Sequence, residues 1–284
     1  MPIVSTKRLL KTLPPNMAIG AFNVHNMEYT QAVVAAAEQE KCPVILMLGE
    51  PILEFAGLEM LANITRFAAQ QSQIPIGIAL DHGKKIKNLI TCIDLGLSVM
   101  VDGSYLPFED NIHFTREIVL YAKQKNVSVE GELGALAGIE DDNDEQAFEF
   151  MTDPEAVVEF VKKTGIDILA ISIGNCHGKY IRPPKLDMER LKAIHSKVDI
   201  PLVLHGGSDL PEAMSLEAIN NGIRKFNIGT DLKYAFCEEM KAVLGKDPMP
   251  FQPQDTLGVA REAVKKVAIE KIRLLRNGND GYGE

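Results

Sequence analysis

The sequence predicts an α/β protein, a single-domain (β/α)8 (TIM) barrel over residues 1–284. Three observations carry this expectation: eight short apolar runs rich in β-branched residues, helical periodicity between them, and regular spacing. The runs are "IGAFNV", "PVILMLG", "IPIGIALDH", "SVMVDGS", "SVEGELG", "ILAISIG", "IPLVLHGGS" and "RKFNIGTDL", starting at residues 19, 43, 74, 98, 128, 168, 200 and 224. They are near-continuous rather than alternating, as parallel strands buried on both faces are. Between the third and fourth, Ile86, Leu89, Ile90 and Ile93 fall at i, i+3, i+4 and i+7, the apolar stripe of an amphipathic helix. The interval between run starts suits one strand, one helix and two short loops. A doubly wound sheet shares this local pattern, but eight repeats in a chain of this length favour closure. A last helix is predicted around "VAREAVKKVAIEKIRLL", from residue 259.

One interval is longer. It holds "GALAGIEDDNDEQAFEFMTDPEAV", glycine-rich, then acidic, without periodicity, and on composition it reads as a solvated acidic loop.

Composition narrows the classes of function. The chain has 284 residues, 46% hydrophobic and 24% charged, with 30 Lys+Arg against 39 Asp+Glu and a formal net charge of −9. Such a balance argues against a nucleic-acid partner, which needs a basic footprint. An anionic ligand would need a locally positive site instead. No stretch has the apolar length of a membrane span, and "MPIVSTKRLLKTLPP" is too short and too basic in its middle for a secretory signal, so a cytoplasmic protein with no membrane partner is expected. Cys42, Cys92, Cys176 and Cys237 are scattered, which indicates neither a zinc knuckle nor a disulfide framework.

Barrel enzymes place their chemistry at the C-terminal ends of strands. Here the third run ends in Asp81 and His82, the fourth in Asp102, the fifth in Glu132, the sixth in "GNCHG" with His177, the seventh in His205, and the eighth in Asn227 and Asp231. Three histidines on one rim match a catalytic zinc set, which keeps a fourth position open, whereas a closed structural site uses four ligands. Cys176 competes with His177, and the histidine is the better candidate. His113 and His195 lie in helical stretches and read as surface or packing residues, and His25 receives no catalytic role.

The seventh and eighth runs end in "HGGSDL" and "NIGTDLKYAF", small residues and a hydroxyl leading into a helix, where backbone N–H groups and the dipole favour an anion. Barrels commonly bind phosphate at this pair of loops. Lys179 and Lys233, next to these loops, and Lys84 and Lys85, at another strand end of the same rim, are candidates to add positive charge.

These motifs, together with "GAFNVHNMEYTQAVVAAAE", "VMVDGSYLPFEDNI", "VSVEGELGALAGIEDD" and "LAISIGNCHGKY", resemble the class II, metal-dependent ketose-bisphosphate aldolases over nearly the full length. The resemblance implies a zinc-dependent barrel with one catalytic ion per subunit. It would reversibly cleave fructose or tagatose 1,6-bisphosphate to dihydroxyacetone phosphate and glyceraldehyde 3-phosphate, as a homodimer or homotetramer. It makes His82, His177 and His205 the metal ligands and Asp81 the proton donor. Gly178, Gly206, Gly207, Ser208, Asn227, Ile228, Gly229 and Thr230 would contact the dihydroxyacetone phosphate part. Glu140 falls on the family's mobile-loop glutamate, which gives the acidic loop a function. Asp102 and Glu132 resemble carboxylates near a second metal position, with orientation of the histidines an equal alternative. Such chemistry needs a metal: aldol cleavage leaves negative charge beside a carbonyl, and without a lysine Schiff base a Lewis acid must stabilise it.

The chain departs from the family pattern at Gly49, Glu50 and Pro51 after the second run, at Lys84 and Lys85, and at "GNCHG". These departures bear on the substrate, and the "FNVHN" start leans towards the tagatose-type branch. Two other readings are an aldolase for another ketose 1-phosphate or acidic sugar phosphate, with Lys84 and Lys85 at its distal end, and a non-catalytic barrel subunit of an aldolase complex.

Overall fold

The structure, a computed structural model, describes residues 3–135, 137–138, 151–180 and 182–279. All eight runs are strands of one closed parallel barrel: β1 (Ile19–Asn23), β2 (Val44–Gly49), β3 (Ile76–Gly83), β4 (Ser98–Val101), β5 (Val129–Leu133), β7 (Ile168–Ile171), β9 (Leu202–Leu204) and β10 (Ile223–Ile228). Two further strands, β6 (Ala137–Gly138) and β8 (Cys176–His177), form a small parallel pair outside the barrel. The strands are buried on both faces, which is why their sequences are continuously apolar.

Local signals set the helix ends. Helix α2 (Met27–Glu40) is capped by Asn26, whose side chain accepts from the Tyr29 N–H at 3.0 Å, and it ends at Lys41 in the left-handed region. The predicted final helix spans Pro253–Arg276 (α11), with proline in its first turn, and packs across α2 and α10 (Thr230–Leu244). In α5 (Ile86–Asp94) Leu89 and Ile93 are buried as predicted, with Cys92 beside them. Ile86 is 56% exposed, because it opens the helix at the barrel rim, before the helix has settled onto the strands.

A short helix that the sequence pattern does not reveal, α1 (Thr6–Lys11), closes the N-terminal end of the barrel. The Thr6 N–H donates to Ser98 Oγ (3.1 Å) and the Lys7 N–H to Ser128 Oγ (3.5 Å), while Leu9 packs against β3 at Gly77. This end is a plug, so access to the barrel is from the opposite mouth.

Candidate active site

Regular strand geometry sends consecutive side chains to opposite faces. Asp81 and His82 nevertheless line the same cavity at the C-terminal mouth. The register of β3 against β4 shifts between Leu80 and Gly83, from Leu80↔Val99 to Gly83↔Val101, one residue extra on β3. His82 takes up this bulge at φ +47°, in the left-handed region that β-carbon residues rarely adopt. The bulge turns two adjacent reactive groups into one mouth. Gly83 completes it, since a Cβ there would stand 2.9 Å from Met100 O.

The three predicted histidines converge. His205 follows β9 directly, and its Nδ1 lies 2.9 Å from His82 Nε2. Ring centroids are 4.7 Å apart for His82 and His177, 4.7 Å for His82 and His205, and 6.0 Å for His177 and His205. His177 is not at a barrel-strand end: β7 stops at Ile171, and the histidine reaches the mouth from β8, on the following loop. That loop is tied back by Asn175, whose Nδ2 donates to His205 O at 3.0 Å.

The donor set fits a divalent cation. One potential ligand atom from each histidine lies within 4.8 Å of the other two, and His82, Asp102 and Glu132 form a second such group. Tetrahedral zinc, with bonds of about 2.0–2.1 Å, holds its ligand nitrogens about 3.4 Å apart, inside that spread. Negative charge surrounds the trio. His82 Nδ1 lies 3.0 Å from Asp102 Oδ2 and 3.7 Å from Glu132 Oε2, and the latter oxygen is buried without a hydrogen-bond partner among the described residues. Cys176 is in neither group.

Electrostatics follow from this crowding. Burial opposes charge on His82, but Asp81, Asp102 and Glu132 outweigh it and hold the imidazole well above its ordinary range. His205 is pushed well below, first by burial and then by the His82 charge and Lys225. Burial, then the neighbouring Asp102, drives Glu132 up. Asp102 resists its own burial through His82, Lys84 and Ser104, and sits far below the carboxylate range. Elsewhere, burial pushes the Cys42 and Cys92 thiols up to about 12, so neither is a nucleophile.

Asp81 is clamped. Asn23 Nδ2 donates to its Oδ2 at 2.7 Å and Asn227 Nδ2 to its Oδ1 at 3.0 Å. Beside it, the predicted anion loops meet. Gly178, Gly206, Ser208, Asn227, Gly229 and Thr230 line the cavity with the histidines, whereas Gly207 uses its N–H on Asn227 O (2.9 Å) and Ile228 is buried in the core. Gly206 must be glycine: it lies at φ +65°, and a Cβ would fall 2.0 Å from Cys176 O. Ser208 Oγ accepts from the Asp231 N–H at 3.3 Å, which leaves its own proton to donate. The carboxylate of Asp231 is neutralised by Lys271 at 2.7 Å, so the start of α10 keeps its positive character.

The departures from the family pattern have structural jobs. Glu50 opens α3 (Glu50–Ala56) behind Gly49, with Pro51 in its first turn, and its carboxylate accepts from the Lys85 N–H (3.1 Å) and Asn88 Nδ2 (2.9 Å). Lys85 pairs with Glu54, and Lys84 lies 3.4 Å from Asp102. Lys179 sits over the Tyr234 ring, 3.6 Å from its centroid. His113 and His195 are exposed on helices, and His25 stacks edge-on against Tyr29. Glu140 lies outside the described residues.

Sequence reasoning missed Asn23, Glu130 and Lys225. Each is a polar side chain set in an apolar strand run, and that is the signal that could have found them.

Fold and site together define an enzyme of the barrel class whose mouth combines three imidazoles, a clamped carboxylate and a pair of glycine-containing loops that lead towards helices. The family model for class-II fructose-bisphosphate aldolase matches residues 4–280. The chain is 40% identical to the fructose-bisphosphate aldolase of Geobacillus stearothermophilus over 278 residues, 96% of each chain. Among solved structures it resembles the YdjI aldolase of Escherichia coli K12 with a TM-score of 0.87 and 33% identity, covering 98% of this chain and 99% of that one. The fructose-bisphosphate aldolase of Campylobacter jejuni shares the fold, with a TM-score of 0.81 at 23% identity, covering 99% of this chain and 97% of that one. The chain belongs to the class-II fructose-bisphosphate aldolase family, and it is a lyase.

No helix among the described residues is long and apolar enough to cross a membrane.

Proposed function

We propose that this chain is a zinc-dependent aldolase that reversibly cleaves fructose or tagatose 1,6-bisphosphate to dihydroxyacetone phosphate and glyceraldehyde 3-phosphate. The observation that carries the reading is the convergence of His82, His177 and His205 with Asp81 in one cavity. The three imidazoles would hold the ion. When bound, zinc supplies Lewis-acid stabilisation for the negative charge left beside the carbonyl as the carbon–carbon bond breaks.

The chain's own groups do the rest. Asp81, fixed by Asn23 and Asn227, takes the C4 hydroxyl proton in cleavage and returns it to the aldehyde oxygen in condensation. Ser208, Gly178, Gly206, Gly229, Thr230 and Asn227 hold the dihydroxyacetone phosphate part, with Gly207 and Ile228 shaping the loops behind them. Asp102 and Glu132 orient His82 or provide a second metal position, and Glu140 exchanges the proton at carbon. A dimer or tetramer is the assembly that the family resemblance supports, and the scattered, unpaired cysteines support a cytoplasmic location.

The reading in which Lys84 and Lys85 meet an acidic sugar has less support, since Lys84 already lies against Asp102 and Lys85 pairs with Glu54. Turnover of fructose 1,6-bisphosphate, tagatose 1,6-bisphosphate and ketose 1-phosphates, with zinc measured on the same sample, tests the proposal. Cleavage of one bisphosphate at the highest kcat/KM is expected. Negligible turnover of both bisphosphates by zinc-loaded protein would refute it.

A further inference from the structure

Beneath the mouth, inside the barrel, lies a charged pair that the aldolase chemistry does not use directly. Lys225 of β10 is 0% exposed and Glu130 of β5 is 4% exposed. Their strands are not neighbours in the sheet, so the pair spans the barrel interior, with Lys225 Nζ donating to Glu130 Oε2 at 2.8 Å. The other oxygen, Oε1, lies 2.9 Å from His205 Nε2.

Burying an ion pair contributes little to stability, and well-packed apolar residues often serve as well. Its placement shows another use. A carboxylate only accepts, so the nitrogen facing Glu130 carries the proton, and the other ring nitrogen presents its lone pair. That other nitrogen is Nδ1, the atom turned towards His82 Nε2 in the cluster. Lys225 occupies the second carboxylate oxygen and balances its charge, so Glu130 can be neither turned away nor left uncompensated in the core.

We propose that Glu130 and Lys225 are positioning residues that lock His205 in the Nε2–H tautomer and so set the affinity of the three-imidazole cluster for its ion. The inference rests on the metal reading given above. Carboxylate partners of ligating histidines are worth about 10–100-fold in metal affinity.

The test has two arms. In the metal-free wild-type protein, nitrogen-15 NMR of labelled histidines should show His205 protonated at Nε2. In the double variant Glu130→Met/Lys225→Met, which replaces the pair by apolar groups of similar size, the metal-free protein should melt close to wild type. Its Kd for zinc, measured by competition with a chromophoric chelator, should be about 10–100-fold weaker. An Nδ1–H tautomer for His205, or a folded double variant that binds zinc as tightly as wild type, would overturn the proposal. If the double variant does not fold, the tautomer decides alone. Wild-type protein that binds no zinc at all would instead count against the metal reading, which the tautomer measurement does not depend on.

Discussion

At the N-terminal end of the barrel the backbone N–H groups of Thr6 and Lys7 end on Ser98 and Ser128, the two hydroxyls lie 2.8 Å apart, and Leu9 fills the space above Gly77. At the C-terminal end the same strands carry His82 in a left-handed conformation, Asp102 and Glu132 crowded round one imidazole, and buried Glu132 Oε2 and Asn227 Oδ1 without hydrogen-bond partners among the described residues. The plug pairs its backbone donors and leaves Thr6 Oγ1 buried without a partner among the described residues, while the mouth gathers strain, charge and open hydrogen-bonding capacity round one imidazole. The difference shows where the fold's stability is spent: strained and unsatisfied groups persist only where surrounding structure holds them. Substitutions at the mouth should therefore change catalysis with little effect on melting, and substitutions at the plug should do the reverse.

The largest effect is expected at Asp81. Asp81→Asn keeps the size of the side chain but removes the proton acceptor, so kcat should fall by about 10²–10⁴-fold while zinc content and Tm stay close to wild type. Loss of zinc in this variant would show that Asp81 serves the metal rather than the proton.

Gly229→Ala is next. Its Cβ would fall 2.8 Å from Asn23 Oδ1 and push aside the amide that clamps Asp81. Misplacement of a reacting group of about 1 Å costs up to about 10²-fold, so kcat should drop by about 10–100-fold with bound zinc unchanged. Steady-state kinetics beside metal analysis checks this.

At the plug, Leu9 is 1% exposed, and Leu9→Ala should cost about 2–5 kcal/mol in denaturant unfolding, with kcat and KM of the folded protein unaltered. Ser128→Ala sharpens the contrast with the smallest effect. It removes a partner of Ser98 Oγ and of the Lys7 N–H, at a cost of about 1 kcal/mol and again with no kinetic change. A plug variant that lost activity while fully folded would blur the division between the two ends.

Much of this was legible because parallel strands buried on both faces leave continuous apolar runs, and all eight stand out. Asp81, His82 and His205 could be found because reactive groups interrupt those runs at one end. What escaped depends on three-dimensional register. Nothing local marks the bulge that turns both Asp81 and His82 into the mouth, since it exists only against β4. Helix α1 has six residues, too few for periodicity, and its position comes from Ser98 and Ser128, far along the chain. The separation of His177 from β7 escaped because a histidine six residues beyond a strand reads like one at its end. Glu130 and Lys225 make sense only as a pair, and the sequence places them 95 residues apart.

Metal dependence of the aldolase chemistry at the mouth is decided by fructose 1,6-bisphosphate cleavage and bound metal measured on one preparation, before chelation, after it, and after zinc is restored. About one ion per chain is expected, following the three-histidine set, with cleavage falling in proportion to metal removed and returning with zinc. Undiminished cleavage by protein shown to be free of metal would contradict it.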